Sequence, residues 1–289
     1  MLEVNRRAEN SAWKSALIES SDPVVQRASE MILNIERANW QLLVNLPSES
    51  RVLDVGAGMG TNSHALSLYY REVVALEPVA ERVRFMQQRF AQEGLSNIRI
   101  LRSSIWELPF GQESFDLVAM NGVLEWVAEG QTGDPGELQE KALSKIHRLL
   151  RPNGYLYLGI ENRIMLGHFF GCPDPHCSIP FTAILPRPLA HWYARRHGLS
   201  GYRNYLYSGR GYRKLLQRAG FNHVEIYIAV PSYNHPRFLI PLKNNIFSHY
   251  SQNFSGVQTR WSRRFVHRVL LNSGLLKNLQ YSYVILARK

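Results

Sequence analysis

Residues 52–60 read VLDVGAGMG, an apolar run with one acid that continues into glycine at every second position. A buried strand that runs into a glycine-rich turn is typical of a nucleotide site, because glycine allows a tight turn and a close approach of the backbone to the ligand. A dinucleotide fingerprint would place its third glycine at position 61, where this chain has Thr61. Asp54 would also repel a pyrophosphate. The turn therefore favours a ligand that brings an ammonium group close to Asp54.

The sequence around this turn alternates between strand and helix patterns. Five strands are predicted, at 51–56, 72–78, 97–104, 115–122 and 155–160. Helices are predicted between them, at 61–70, 79–94 and 137–150. Such alternation predicts a parallel sheet with helices on both faces, and ligands of these sheets bind beyond the carboxyl ends of the strands.

A second acid restricts the ligand further. Glu77 lies at the end of the second predicted strand, where an acid can accept hydrogen bonds from a ribose diol. A ligand with an amino-acid end for Asp54 and an adenosine end for Glu77 satisfies both carboxylates, and S-adenosyl-L-methionine (SAM) is such a ligand. The plainer alternative is a tight strand-to-helix turn that needs small residues for packing alone.

With these motifs the chain resembles the class I SAM-dependent methyltransferases that have a type 11-like methyltransferase domain. The resemblance covers about 51–160 and resumes at 211–230 and 281–289. It implies a Rossmann-like, doubly wound α/β fold with a seven-stranded sheet whose last strand is antiparallel. It implies cofactor contacts from Asp54, Gly56, Ala57, Gly58, Gly60, Glu77, Pro78, Ser104, Ile105, Trp106 and Asn121. Two positions depart from many relatives, with Ser104 in place of an acid in the adenine loop and Trp126 in place of a histidine.

Two long excursions interrupt the core pattern, and long loops in a compact domain are usually lids or binding elements. We therefore predict four regions: an N-terminal helical cap (1–50), the SAM-binding core (51–160), an inserted substrate cap (161–210), and a C-terminal part of the core sheet (211–289) with a second insertion at about 232–280.

The charge of the chain is unevenly distributed. Residues 1–160 carry a net charge of −4, whereas residues 161–289 carry +15 with only three acids. This excess of basic residues is either a solvated face or a region that meets an anion, such as a phosphorylated metabolite, a nucleic acid or a membrane surface. We predict that an anionic part of the acceptor is held by Arg163, Arg203, Tyr205 and Tyr207.

Residues 168–177 read HFFGCPDPHC and contain potential metal ligands, but their spacing matches no common zinc pattern. The sequence therefore predicts no metal. The two prolines favour a rigid loop that presents Asp174 and His176 to the acceptor, and a histidine is suited to act as a general base near neutral pH. His176 with Asp174 is the predicted base and Glu161 the second candidate; the alternative is a histidine that only satisfies loop backbone.

Several classes are disfavoured by composition. The chain has no run of about 18 apolar residues, no signal-peptide pattern at its start and only two cysteines, so we expect a cytoplasmic protein without a membrane span. The predicted function is methyl transfer from SAM to an oxygen or nitrogen of a small, anionic acceptor that is saccharide-linked, lipid-linked or a natural-product intermediate. The ENR…DPH and YLYS…GY stretches resemble uncharacterised bacterial methyltransferases. The sequence leaves open the oligomeric state.

Two alternatives remain open. An RNA methyltransferase would explain the basic second half, although NGVLEW (121–126) lacks the Pro-Pro-aromatic turn of enzymes that methylate base amines. A non-catalytic protein that binds SAM or a partner would retain the same glycine turn.

Overall fold

The computed structural model describes residues 1–253 and 270–289, which form one mixed sheet with helices on both faces. The strands are β1 (Arg51–Val55), β2 (Glu72–Leu76), β3 (Ile98–Leu101), β4 (Phe115–Asn121), β5 (Leu150–Glu161), β6 (His223–Ser232), β7 (His235–Pro241) and β8 (Ser282–Arg288). Their order across the sheet is β3-β2-β1-β4-β5-β8-β6-β7. The first five strands are parallel, and β8 is antiparallel to both of its neighbours, β5 and β6. The predicted Rossmann-like α/β class is confirmed.

Over the described residues the sheet has eight strands rather than the predicted seven. Residues 235–241 pair antiparallel with β6 and add an edge strand inside the segment that was predicted as a second insertion (232–280). Residues 254–269 of that segment lie outside the described part of the chain. The pattern HPRFLIP carries two prolines, which confine it to an edge position because proline cannot donate to a sheet ladder on both sides.

Helices cover both faces because successive side chains of each strand point to opposite sides. In β1, Leu53 and Val55 join the core cluster under α6 and α8, whereas Val52 packs on the opposite face with Trp40 and Leu66. The helices are α1 (Leu2–Ala8), α2 (Trp13–Ile18), α3 (Pro23–Leu33), α4 (Thr61–Ser67), α5 (Ala80–Gln92), α6 (Pro135–Leu149), α7 (Arg187–Arg196), α8 (Gly209–Arg218) and α9 (Asn244–Asn253). No described helix combines the length and the apolar character that crossing a membrane requires.

The N-terminal segment does not form one continuous helix. Helix α3 ends at Leu33, and a 3₁₀-helix begins two residues later (Ile35–Leu43). The Asn34 side chain caps the first turn of this 3₁₀-helix by accepting a hydrogen bond from the backbone N–H of Glu36. Trp40 of this 3₁₀-helix is fully buried and stacks on Tyr157 of β5, with ring centroids 3.6 Å apart and an interplanar angle of 8°. This stacking fixes the segment against the carboxyl-terminal half of the parallel sheet.

Candidate active site

The glycine turn that follows β1 is fixed by both conformation and packing. Gly56, Gly58 and Gly60 have φ values of +66°, +59° and +78°, which residues with a Cβ rarely adopt. A Cβ at Gly60 would lie 2.4 Å from Phe90 of α5, and one at Gly56 would lie 2.6 Å from the Val123 side chain. The turn therefore needs glycine at these positions for the close approach of α5 and of the loop after β4.

A cavity of about 320 Å³ opens beside this turn. That volume lies within the usual range for small-molecule sites, about 300–1,000 Å³. The turn, α3, the 3₁₀-helix and the end of β4 all contribute to its wall, through residues that include Gly56, Ala57, Gly58, Met31, Ile32, Arg37, Asn62, Arg82 and Asn121. The cavity lies at the carboxyl ends of β1 and β4, where ligands of such sheets bind.

The two acids that the sequence singled out are both buried. Glu77 accepts hydrogen bonds from the Gly58 N–H (2.8 Å) and the Val79 N–H (3.0 Å), so its carboxylate ties the glycine turn to the end of β2. Asp54 accepts from the Ser63 hydroxyl (2.6 Å), and burial raises the pKa of its carboxyl to about 6. Their predicted contacts with the ribose and the ammonium group stay predictions.

Two polar atoms near the cavity lack a partner among the described residues. They are the Nε of Arg37 and the Oδ1 of Asn62, both buried, and both residues line the cavity. A guanidinium and an amide oxygen in one cavity match the carboxylate and the ammonium of a methionine moiety. Neither residue was predicted from the sequence. The cavity, the positive-φ turn and these two unpartnered atoms fit SAM.

The predicted adenine loop follows β3. Ile105 is buried, Ser104 accepts from the Trp106 N–H (3.3 Å), and the Trp106 indole donates to the Val127 carbonyl (3.1 Å). The described lining of the cavity does not include this loop or Pro78. Their cofactor contacts stay predictions.

Beyond the cavity lies a second group of polar side chains, which we call the acid–histidine cluster: Glu125, Glu161, Asp174 and His176. Glu161 is the last residue of β5, and Glu125 lies in a 3₁₀ turn after β4. The His176 Nε2 lies 3.6 Å from Glu125 Oε1 and 3.7 Å from Glu161 Oε2, and its Nδ1 lies 3.2 Å from Asp174 Oδ1. The structure thus brings together all three predicted catalytic residues and adds Glu125, which the sequence did not single out.

Burial and the close carboxylates act in opposite directions on the imidazole of this cluster. The His176 side chain is 5% exposed and the Glu125 side chain 1%. Burial alone would lower the pKa of the His176 imidazole, but the hydrogen bond with Asp174 and the carboxylates of Glu125 and Glu161 hold that pKa well above its usual value. Burial, followed by the charge of Glu125, raises the pKa of the Glu161 carboxyl. A raised pKa favours the imidazolium, which cannot accept a proton, so this arrangement opposes the predicted role of His176, which stays a prediction.

The turn between β6 and β7 connects the cluster to the cavity. The Tyr233 hydroxyl donates to Glu161 Oε1 (3.0 Å), and a Cβ at Gly122 would lie 2.7 Å from the same hydroxyl. The Asn121 amide donates to Asn234 Oδ1 (3.1 Å), which also accepts from Arg37. The adjacent residues Tyr233 and Asn234 therefore contact, respectively, the acid–histidine cluster and two residues that line the cofactor cavity.

The predicted acceptor-binding residues make contacts that hold the insert (161–210) in place. Arg163 donates to the carbonyls of Ala183 (2.8 Å) and Leu185 (2.9 Å). Arg203 donates to the carbonyls of residues 128, 131 and 133. Arg187 lies 3.9 Å from the centroid of the Tyr205 ring, and the Tyr207 hydroxyl donates to Gln139 Oε1 (3.0 Å). These contacts tie the insert to itself and to the loop and helix after β4. The role of these residues in acceptor binding stays a prediction.

Comparison with known proteins assigns the class. Residues 53–158 match the methyltransferase domain family. Over 112 residues the chain is 30% identical to the uncharacterized methyltransferase YcgJ of Bacillus subtilis, a match covering 38% of this chain and 40% of the relative. Over 108 residues it is 30% identical to the demethylmenaquinone methyltransferase of Clavibacter sepedonicus, covering 37% and 40%. The chain thus matches about two fifths of the length of these curated relatives.

Solved structures show the same fold. A SAM-dependent methyltransferase from Aquifex aeolicus superposes with a TM-score of 0.51 at 15% identity, covering 95% of this chain and 97% of that one. Phosphoethanolamine N-methyltransferase 2 of Haemonchus contortus, in complex with phosphomonomethylethanolamine and S-adenosylhomocysteine, gives 0.54 at 14% identity, covering 97% and 60%. The chain therefore carries a class I SAM-dependent methyltransferase domain, and SAM is the cofactor of that domain.

Arg37→Met should weaken the binding of S-adenosylhomocysteine by about 10- to 100-fold, because a charged hydrogen bond contributes about 1.5–3 kcal/mol. Isothermal titration calorimetry on the purified chain measures this. Arg84→Met is the matched control, since Arg84 pairs with Glu9 at the surface of α5, away from the described lining of the cavity. Equal affinities of the two variants would show that Arg37 does not contact the methionine moiety.

Proposed function

We propose that this chain transfers the methyl group of SAM to an oxygen or nitrogen of a small acceptor that enters against the acid–histidine cluster. The observation that carries the proposal is the position of the cluster. Glu125 follows β4, the strand beside β1, and Glu161 is the last residue of β5, the next strand across the sheet; the Tyr233 hydroxyl donates to Glu161 and lies against Gly122 at the end of β4. An acceptor placed there lies next to a methyl donor in the cavity.

SAM supplies a methyl group on a positively charged sulfur and leaves as S-adenosylhomocysteine. Because that methyl is already reactive, the contribution of the protein is alignment of the acceptor and removal of its proton. Glu161 Oε2 is buried and has no hydrogen-bond partner among the described residues, while its other oxygen accepts from Tyr233. The carboxylate is thus held in place with one oxygen free to accept the acceptor proton.

The chemistry of the cluster also bears on the choice of acceptor. Three carboxylates around one imidazole favour a hydroxyl or amine at the reacting end and disfavour an anion there. The sequence prediction of an anionic, saccharide-linked, lipid-linked or natural-product acceptor then requires that its negative charge lie away from the cluster. The cytoplasm as the place of the reaction stays a prediction from the sequence.

The proposal is tested with the purified chain, SAM labelled in its methyl group and a cell extract separated into small-molecule and RNA fractions, with mass spectrometry of whatever gains the label. We expect the label in a small molecule with a free hydroxyl or amine, and none in a reaction with Asp54→Ala protein that no longer binds SAM. Label in the RNA fraction alone would replace the proposal with RNA methylation. Binding of SAM without label in any fraction would indicate a non-catalytic SAM-binding protein.

A further inference from the structure

Three members of the acid–histidine cluster have the spacing of ligands around one ion. The His176 Nε2 is 3.6 Å from Glu125 Oε1 and 3.7 Å from Glu161 Oε2, and one ligand atom from each residue lies within 4.8 Å of the other two. These distances are too long for hydrogen bonds, which are about 2.7–3.2 Å for N–H···O. Metal–ligand bonds of about 2.0–2.2 Å meeting at 90–120° separate two ligand atoms by about 2.8–3.8 Å.

The free oxygens of the cluster point to a ligand as well. Glu125 Oε2 and Glu161 Oε2 are buried and lack a hydrogen-bond partner among the described residues. An unpaired buried carboxylate oxygen carries a large desolvation cost unless it is protonated or bound to a cation. Glu161 Oε2 is itself the atom 3.7 Å from His176 Nε2, and Glu125 Oε2 belongs to the carboxylate whose Oε1 lies 3.6 Å from that nitrogen, so the two carboxylates and the imidazole leave a position for a cation.

The surroundings of the three residues have the form of a metal site. The His176 Nδ1 is held by Asp174, and a histidine that binds metal through one nitrogen usually donates the other to a carboxylate. The Asp174 carboxylate itself accepts hydrogen bonds from the Tyr202 hydroxyl (2.9 Å) and from the backbone N–H of His176 (2.8 Å). Glu161 is oriented by Tyr233 in the same way. Two of the three ligand side chains, His176 and Glu161, are therefore preorganised.

We propose that Glu125, Glu161 and His176 bind one divalent cation, which takes the place of the proton on His176 Nε2. Two carboxylates and one imidazole suit first-row ions such as Mn²⁺ or Zn²⁺, whereas Mg²⁺ prefers oxygen ligands in octahedral geometry. Three protein ligands leave coordination positions for solvent or for the acceptor, as in catalytic rather than structural sites. The sequence predicted no metal because Glu125, Glu161 and His176 are not close in the chain and belong to none of the usual ligand spacings.

Binding of the ion does not depend on the proposed function. The part of the ion in catalysis does rest on that proposed function. The ion would bind an acceptor hydroxyl and lower its pKa, so that the proton leaves to solvent. The acceptor oxygen then forms the bond to the methyl carbon, and the C–S bond breaks with its electron pair kept by the sulfur of S-adenosylhomocysteine. In this form of the reaction Glu161 is a ligand, and the ion takes over the removal of the proton.

The test is a titration of the full chain with Mn²⁺, followed by electron paramagnetic resonance of the free ion. We expect one Mn²⁺ per chain, displaced by Zn²⁺ but not by Mg²⁺ at the same concentration. Glu125→Gln and Glu161→Gln should each weaken binding by at least 10-fold, and Asp174→Asn by about 10- to 100-fold, because it releases the imidazole. Glu225→Gln is the matched control, since Glu225 lies 3.5 Å from His223 in an exposed pair.

Thermal unfolding without ion shows whether each variant is folded. Visible absorption of Co²⁺ bound to the wild type reports the coordination without any substitution. Failure of the wild type to retain Mn²⁺ or Zn²⁺ would overturn the proposal, and so would equal retention in the two glutamate variants and the control. Methyl transfer at full rate in chelator-treated protein that binds no ion would show that the ion takes no part in catalysis, while the proposed methyl transfer would stand. Ion binding without any methyl transfer would support the metal site and contradict the proposed function.

Discussion

Glu161→Gln is expected to lower kcat by about 10²- to 10⁴-fold, the usual contribution of a group that removes a proton in the transition state. Glutamine has the same shape and retains an oxygen for the Tyr233 hydroxyl, but it cannot accept the acceptor proton or bind a cation as a carboxylate does. The affinity for S-adenosylhomocysteine should stay within about twofold, because Glu161 does not line the cofactor cavity. Initial rates with the acceptor found by labelling, together with calorimetry, measure both quantities.

The control for this variant is Glu225→Gln, which also removes one carboxylate from the second half of the chain but at an exposed position. It should retain the full rate. Added Mn²⁺ should not restore the rate of Glu161→Gln, since the substitution removes a ligand of the ion. A rate equal to that of the wild type would show that the acid–histidine cluster takes no part in the reaction and that alignment of the acceptor is sufficient.

Trp40→Ala should lower the free energy of unfolding by about 3–5 kcal/mol, the usual cost of removing a large aromatic side chain from a core. Trp40 is fully buried, stacks on Tyr157 and packs against β1 and α4 through Val52 and Leu66. Because Arg37 lies on the same 3₁₀-helix, the affinity for S-adenosylhomocysteine should fall as well. Urea denaturation followed by circular dichroism gives the stability, and calorimetry gives the affinity.

Trp192→Ala makes the same chemical change at a position that is 53% exposed. Trp192 contacts Arg196 at the surface of α7, and an exposed cation–π contact contributes only about 0.5–1 kcal/mol. A loss of about 1 kcal/mol or less is expected for this variant. Similar losses in both variants would mean that the 3₁₀-helix is not anchored to the sheet through Trp40.

The core of the fold could be predicted because its information is local. The apolar run before Gly56, the acid at the end of β2 and the alternation of strands and helices are each visible within a few residues of sequence. The edge strand β7 was not predicted, because HPRFLIP forms a strand only through its pairing with β6 and carries two prolines. Propensity alone does not decide such a segment, since tertiary pairing overrides it.

The candidate site was predicted only in part, and the missing residues share one physical reason. Asp174, His176 and Glu161 stood out because polar residues follow a strand or occupy a proline-braced loop. Glu125 and Arg37 did not stand out, since an acid or a base in a short turn is usually exposed, and only packing shows that Glu125 and the Nε of Arg37 are buried. Arg163 and Arg203 were singled out by the basic composition of the second half; both guanidiniums donate to backbone carbonyls, and their role in acceptor binding stays a prediction.

The turn between β6 and β7 contacts both sites, so a ligand that shifts this turn would link their occupancies. Tyr233 contacts Glu161, Asn234 accepts from Asn121 and Arg37, and His235 is hydrogen-bonded to Asn34 before the 3₁₀-helix. A ligand that shifts this turn from the cofactor side changes the free energy of binding on the other side. Reciprocity then requires that an ion or acceptor in the acid–histidine cluster change the affinity for S-adenosylhomocysteine by the same factor. The four residues 232–235 are thus the place where a preferred order of substrate binding would be set.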